Sequence, residues 1–83
     1  GTDHPQLADA LLELADFYEE LDMWAHAEAQ CEQAIAVLER ALGKNDLRVA
    51  AAHWRLANMF FQQDRYEESQ AHYQVVLEVK QNV

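Results

Sequence analysis

Leu7, Leu11, Leu14, Tyr18 and Leu21 recur at spacings of 4, 3, 4 and 3, with acidic residues and alanines between them. That is one apolar stripe on a helix of about 3.6 residues per turn, and it predicts a first helix over roughly residues 5–21. Asp3, His4 and Pro5 read as its entrance, with Pro5 near the first helical position and Asp3 placed to cap free amides. After a short turn at Leu21-Asp22-Met23, Ala27, Cys31, Ala34, Ile35 and Leu38 mark the inner face of a second helix, from about Trp24 to Leu42. Gly43 stops that helix at a position suited to a left-handed C-terminal cap. Asp46 opens a third helix with the stripe Val49, His53, Leu56, Phe60 and Gln63. Gln62-Gln63-Asp64 forms the next turn, and a fourth helix starts near Tyr66, carrying Ser69, Tyr73, Val76, Leu77 and Lys80. No stretch alternates apolar and polar residues between turn signals, so no strand is expected.

The pattern is written twice. Sliding Gly43 over Gly1, an offset of 42 residues, lays Ala8 over Ala50, Ala10 over Ala52, Leu14 over Leu56, Ala15 over Ala57, Asp22 over Asp64 and Ala29 over Ala71. Leu7 then meets Val49, Tyr18 meets Phe60, Trp24 meets Tyr66, and Ile35 meets Leu77. Short turns between consecutive helices make them antiparallel neighbours. The expected fold is all-α, two antiparallel helix hairpins stacked as a short α-solenoid. The repeats are residues 1–42 and 43–83 of one small domain, itself a fragment of a longer array, because about three such units are usually needed for stability.

At this point a resemblance carries weight. Leu11, Leu14-Ala15, Tyr18, Ala27, Cys31 and Ala34 sit at the spacings of a tetratricopeptide repeat, and His53, Leu56-Ala57, Phe60, Ser69, Tyr73 and Val76 hold the same places in the second unit. The period is longer than the usual one of about 34 residues. It resembles the long repeats of kinesin light chains, in which a leucine-glycine, a polar link and a histidine-proline join neighbours. Gly1-Thr2-Asp3-His4-Pro5 and Leu42-Gly43-Lys44-Asn45-Asp46-Leu47 look like two versions of that join. His53 and Val76 depart from the pattern, as do Cys31 and Ser69 more mildly, so the second unit is the less regular.

Composition narrows the function classes. The 83 residues are 51% hydrophobic, much of it alanine, with two glycines and one proline; this favours close-packed helices over a large aromatic core. Cys31 is alone, which excludes an intramolecular disulfide and fits a reducing, cytoplasmic setting. No apolar run approaches the roughly 20 residues of a membrane span, so no membrane association is expected. Net charge is −9, and residues 1–42 hold ten acids against Arg40 alone, while residues 43–83 balance five acids with five bases. A surface this acidic does not suit nucleic acid, whose binding rests on neutralising phosphates.

Little points to catalysis. Cys31, on an inner helix face, reads as a small buried hydrophobe. His4 belongs to the repeat join, His53 reads as packed between helices, and His26 and His72 as solvated; no two share a helix at metal-ligand spacing. The carboxylates Asp9/Glu13 and Asp16/Glu19/Glu20 lack a nucleophile or a phosphate loop and read as a solvated helix face. No cofactor, metal or enzymatic activity is expected.

What remains is surface recognition. The resemblance implies a concave face built from the first helix of each hairpin, binding an extended peptide or helix. Carried over, its groove positions are Asp9, Leu12, Asp16, Glu19 and Glu20 in the first unit and Ala51, Trp54, Asn58, Phe61 and Gln62 in the second. Trp54, Asn58 and Phe61, spaced 4 and 3 apart, share one face offset from the core stripe. The expected partner is a protein segment with an apolar or aromatic anchor and basic residues. Asn58 matches one position of the family's carboxylate clamp, but Trp54 stands where a lysine is required, which argues against that mode. The alternative reading makes Trp54, Phe61 and the apolar run Val75, Val76, Leu77 and Val79 stacking surfaces, for a neighbouring repeat or a homo-oligomer.

Overall fold

The computed structural model describes residues 4–81, which form α1 (Pro5–Glu20), α2 (Trp24–Leu42), α3 (Leu47–Gln62) and α4 (Tyr66–Gln81), with no strand among the described residues. α1 packs on α2, α3 on α4, and α2 on α3, so two hairpins stack into a short α-solenoid, a slab of 31 × 28 × 12 Å.

The 42-residue offset is written in the backbone as well as in the sequence. Asp22 and Asp64 both adopt left-handed φ values, 57° and 61°. Around Asp22, Met23 N–H donates to the Tyr18 carbonyl at 2.9 Å and Asp22 N–H to that of Glu19 at 3.0 Å. Around Asp64, Arg65 N–H donates to Phe60 at 2.9 Å and Asp64 N–H to Phe61 at 3.1 Å. Each pair is a Schellman motif that satisfies the last carbonyls of a first helix and reverses the chain. Aspartate tolerates this conformation better than most side chains. The cap expected at Gly43 takes another form: φ 87° and ψ 162°, an extended positive-φ region open essentially to glycine alone. Asp46 caps α3 as expected, accepting from Arg48 N–H at 2.8 Å. At α1 the capping position is His4, whose side chain makes no cap bond; the cap expected of Asp3 lies outside the described residues.

Helix α2 buries Ala27, Cys31, Ala34, Ile35, Val37 and Leu38, and α3 buries Val49, Ala50, Ala52, Leu56, Ala57, Met59 and Phe60. The stripe on α1 is only half in the core. Leu11 and Tyr18 pack against it, but Ala8 and Ala15 are the residues α1 fully buries, while Leu7, Leu14 and Leu21 stay exposed. Ala8 and Ala15 sit in the core, while Leu7 and Leu14 lack the cover that buries Val49 and Leu56 at the equivalent places of α3.

The junction between hairpins is also polar. Arg48 Nη2 reaches Asp9 at 2.8 Å, and Arg55 pairs with Asp16 while donating to the Leu12 carbonyl at 3.2 Å. Arg65 Nη1 lies 3.0 Å from Glu28, which also accepts from Gln63 Nε2 at 2.7 Å. Bases of the second hairpin thus neutralise acids of the first, and the charge division between the halves is where they meet. Ser69, the one buried polar residue among those described, occupies the place of Ala27 and donates its hydroxyl to the Ala57 carbonyl at 2.8 Å.

Candidate partner-binding groove

α1 and α3 lie side by side through the Arg48–Asp9 and Arg55–Asp16 pairs, and the expected groove residues fall on or beside this face in two separate patches. The first is polar: Asp16, Glu19, Glu20, Asp22, Trp24 and Gln62 line an open concavity of about 400 Å³. Glu19 is half-buried there; burial, with Asp16 beside it, raises its carboxyl above the usual range, opposed by Arg55 and by a hydrogen bond from Gln62. An anion held this way gains when a cation enters. Sequence reasoning missed Asp22 and Trp24, reading one as a turn residue and the other as a helix start.

The second patch is apolar. Leu47, Ala50, Ala51, Trp54, Val76 and Lys80 line an open pocket of about 390 Å³, with Trp54 half-exposed as one wall. Trp54 meets Tyr73 edge to face at 5.0 Å between ring centres, and the Tyr73 hydroxyl donates to Asn58 Oδ1 at 2.5 Å. Asn58 therefore fixes Tyr73 with its carbonyl oxygen. Phe61, also more than half exposed, abuts Tyr66 at 5.3 Å. Trp54, Asn58 and Phe61 are brought to one face of α3, but Trp54 shares its pocket with the α4 end of the molecule and not with the acids.

Asp9, Leu12 and Asp16 are tied to the junction: Asp9 and Asp16 by the arginines, Leu12 by its half-buried side chain and its bonded carbonyl. Both ion pairs span 39 residues, and Asp9/Asp16 and Arg48/Arg55 are each spaced 7 apart. That matched spacing was the signal available in the sequence.

The remaining candidates resolve simply. Cys31 is fully buried, its Sγ 3.4 Å from the Ala52 carbonyl, and burial pushes the thiol up to about 12, which suits an inert packing residue. His26 is exposed and lies against Tyr18. His72, expected to be solvated, is instead half-buried and paired with His53. Among the described residues no three His, Cys, Asp or Glu side chains converge as metal ligands, and no helix is long and apolar enough to cross a membrane.

A family model described as tetratricopeptide repeat matches residues 1–82 of the chain. The comparison with curated proteins gives no match.

Proposed function

The chain belongs to the tetratricopeptide repeat family, and on that premise we propose that it is a non-catalytic module that binds a segment of a protein partner along the concave α1–α3 face. Repeats of this family generally act as scaffolds for protein partners. The observation that carries the reading is a pair of exposed patches along that face, one aromatic and one acidic. Trp54 and Phe61 stand half-exposed on one face of α3, and Glu19, Glu20, Asp22 and Gln62, the chain neighbour of Phe61, line a separate open concavity. Exposed aromatics beside a satisfied polar framework are the usual anchors of an interface. The partner has an apolar or aromatic anchor residue and nearby arginines or lysines. The 42-residue period and the glycine at its join support the kinesin-light-chain-like variety, residues 1–42 and 43–83 forming one domain of a longer, cytoplasmic array.

A second reading rests on a separate observation. Leu7, Leu14 and Phe17 occupy the places of Val49, Leu56 and Met59. The α3 residues are at most 1% exposed because α2 covers them, whereas the α1 residues range from 39% (Leu14) to 55% (Phe17). On that reading the outer face of α1 takes another helix, from a neighbouring repeat or a second copy.

Trp54→Ala separates the two. The groove reading expects capture of a synthetic peptide with a tryptophan anchor and flanking arginines to fall at least about tenfold, the range of a hot-spot truncation, with helicity by circular dichroism unchanged. Loss of folding or unchanged capture would sink the groove reading, and a concentration-dependent mass of the native chain in sedimentation would favour the second.

A further inference from the structure

We propose that His53 and His72 form a proton-sensitive clamp that holds α4 against α3 at neutral pH and releases it when the pair takes up a second proton. The two Nδ1 atoms lie 2.9 Å apart, with the ring centres 5.2 Å apart and the ring planes 29° from parallel. Phe60 stacks on His72 at 5.5 Å, and the Arg65 guanidinium sits 4.4 Å over Phe60. The contact joins the two helices of the second hairpin.

A bond between two Nδ1 atoms requires that one ring donate an N–H and the other accept. The first added proton binds the free Nε2 of the donor ring; the resulting imidazolium still donates, and its bond to the neutral acceptor is charge-assisted. A second proton has only the accepting Nδ1 left. Two N–H groups and two positive charges then oppose each other across 2.9 Å, and the contact must open. The pair titrates as a unit.

The surroundings favour the neutral form. Burial lowers His53 below the ordinary histidine value, and His72 lowers it further, against Glu39; burial also lowers His72, against Glu32 and Glu68. The charged groups around the pair are therefore Glu32 and Glu39 from α2, Lys44 from the link, and Arg65, Glu68 and Glu78 from α4 and its entrance. Folded pKa values below the unfolded one mean that the clamp's stabilisation is complete above pH 6.5 and is lost as pH falls through the folded values.

α4 is the helix such a clamp would control. It buries only Ser69, Val76 and Val79, and its apolar cluster with Ala50 is separate from the main core of α1–α3. The first hairpin has no counterpart, since Leu11 and Gln30 hold the equivalent places. Tyr73 on α4 holds Asn58 and abuts Trp54, so release would also loosen the groove wall; that consequence rests on the groove reading, whereas the clamp does not.

The test is amide hydrogen exchange on the 83-residue chain, corrected for intrinsic rates, beside His53→Leu/His72→Gln, which installs the residues of the first hairpin. In the native chain, opening of α4 relative to α2 should rise by up to about tenfold per pH unit as pH falls from about 7 to about 5, and the double variant should lose that dependence. An equal dependence in both proteins, or none in the native chain, overturns the proposal. Imidazole ¹⁵N shifts of the native chain give a second readout that needs no variant. Linked titration of the two rings below the ordinary value supports the clamp, and independent titration at it overturns the clamp.

Discussion

Gly43 holds a backbone conformation, φ 87° and ψ 162°, that L side chains rarely adopt. A Cβ built there meets nothing within 4 Å, so a larger residue is excluded by the backbone alone and not by its surroundings. Gly43→Ala should therefore destabilise the chain by about 1–3 kcal/mol, the range of a residue forced into a sparsely populated region, measured as a shift in the urea midpoint with an unchanged slope. The glycine was legible as a stop, because no other internal glycine interrupts the chain, but its geometry was not. Cap type depends on where the next hairpin must start, which is a tertiary property. His72 shows the same limit: its partner His53 is 19 residues away, and nothing in the local sequence of α4 distinguishes a paired histidine from a solvated one.

At the scale of the element, the sequence pattern places the first three helices within one residue of their observed ends and the start of the fourth at Tyr66, because apolar stripes, Pro5, Asp46 and the two aspartate turns agree with one another. What it does not show is which stripe residues are covered. Leu14 and Leu56 sit at the same place in the repeat, yet Leu56 is fully buried under α2 and Leu14 is exposed. Leu56→Ala is expected to cost about 2–5 kcal/mol, as for a fully buried leucine. Leu14→Ala should cost less than about 1 kcal/mol. Equal losses in urea denaturation would mean that something covers α1 in solution. The three arginines of the junction belong to this scale too. Exposed pairs such as Arg48–Asp9 each add at most about 1 kcal/mol, so their larger effect is on register: they fix which acids of α1 and α2 face the second hairpin.

For the whole molecule, the uneven charge is the feature with most bearing on function. Arg48, Arg55 and Arg65 consume Asp9, Asp16 and Glu28 at the junction, which leaves Glu19, Glu20 and Asp22 around an open concavity, with Trp54 and Phe61 exposed nearby. The sequence made the acidic half and the aromatic face visible, since both are matters of composition and helical spacing. It did not reveal that part of the acidic face is already neutralised, because the neutralising residues come from the other repeat. The most direct measurement is an NMR titration of the ¹⁵N-labelled chain with a peptide carrying one tryptophan anchor and flanking arginines. Binding in the groove predicts shifts at the Trp54 indole, Asn58, Phe61, Gln62 and Glu19, weakening as salt is raised because the acidic contacts are exposed. Shifts confined to Leu7, Leu14 and Leu21 on the outer face of α1, or none at about millimolar peptide, would contradict it.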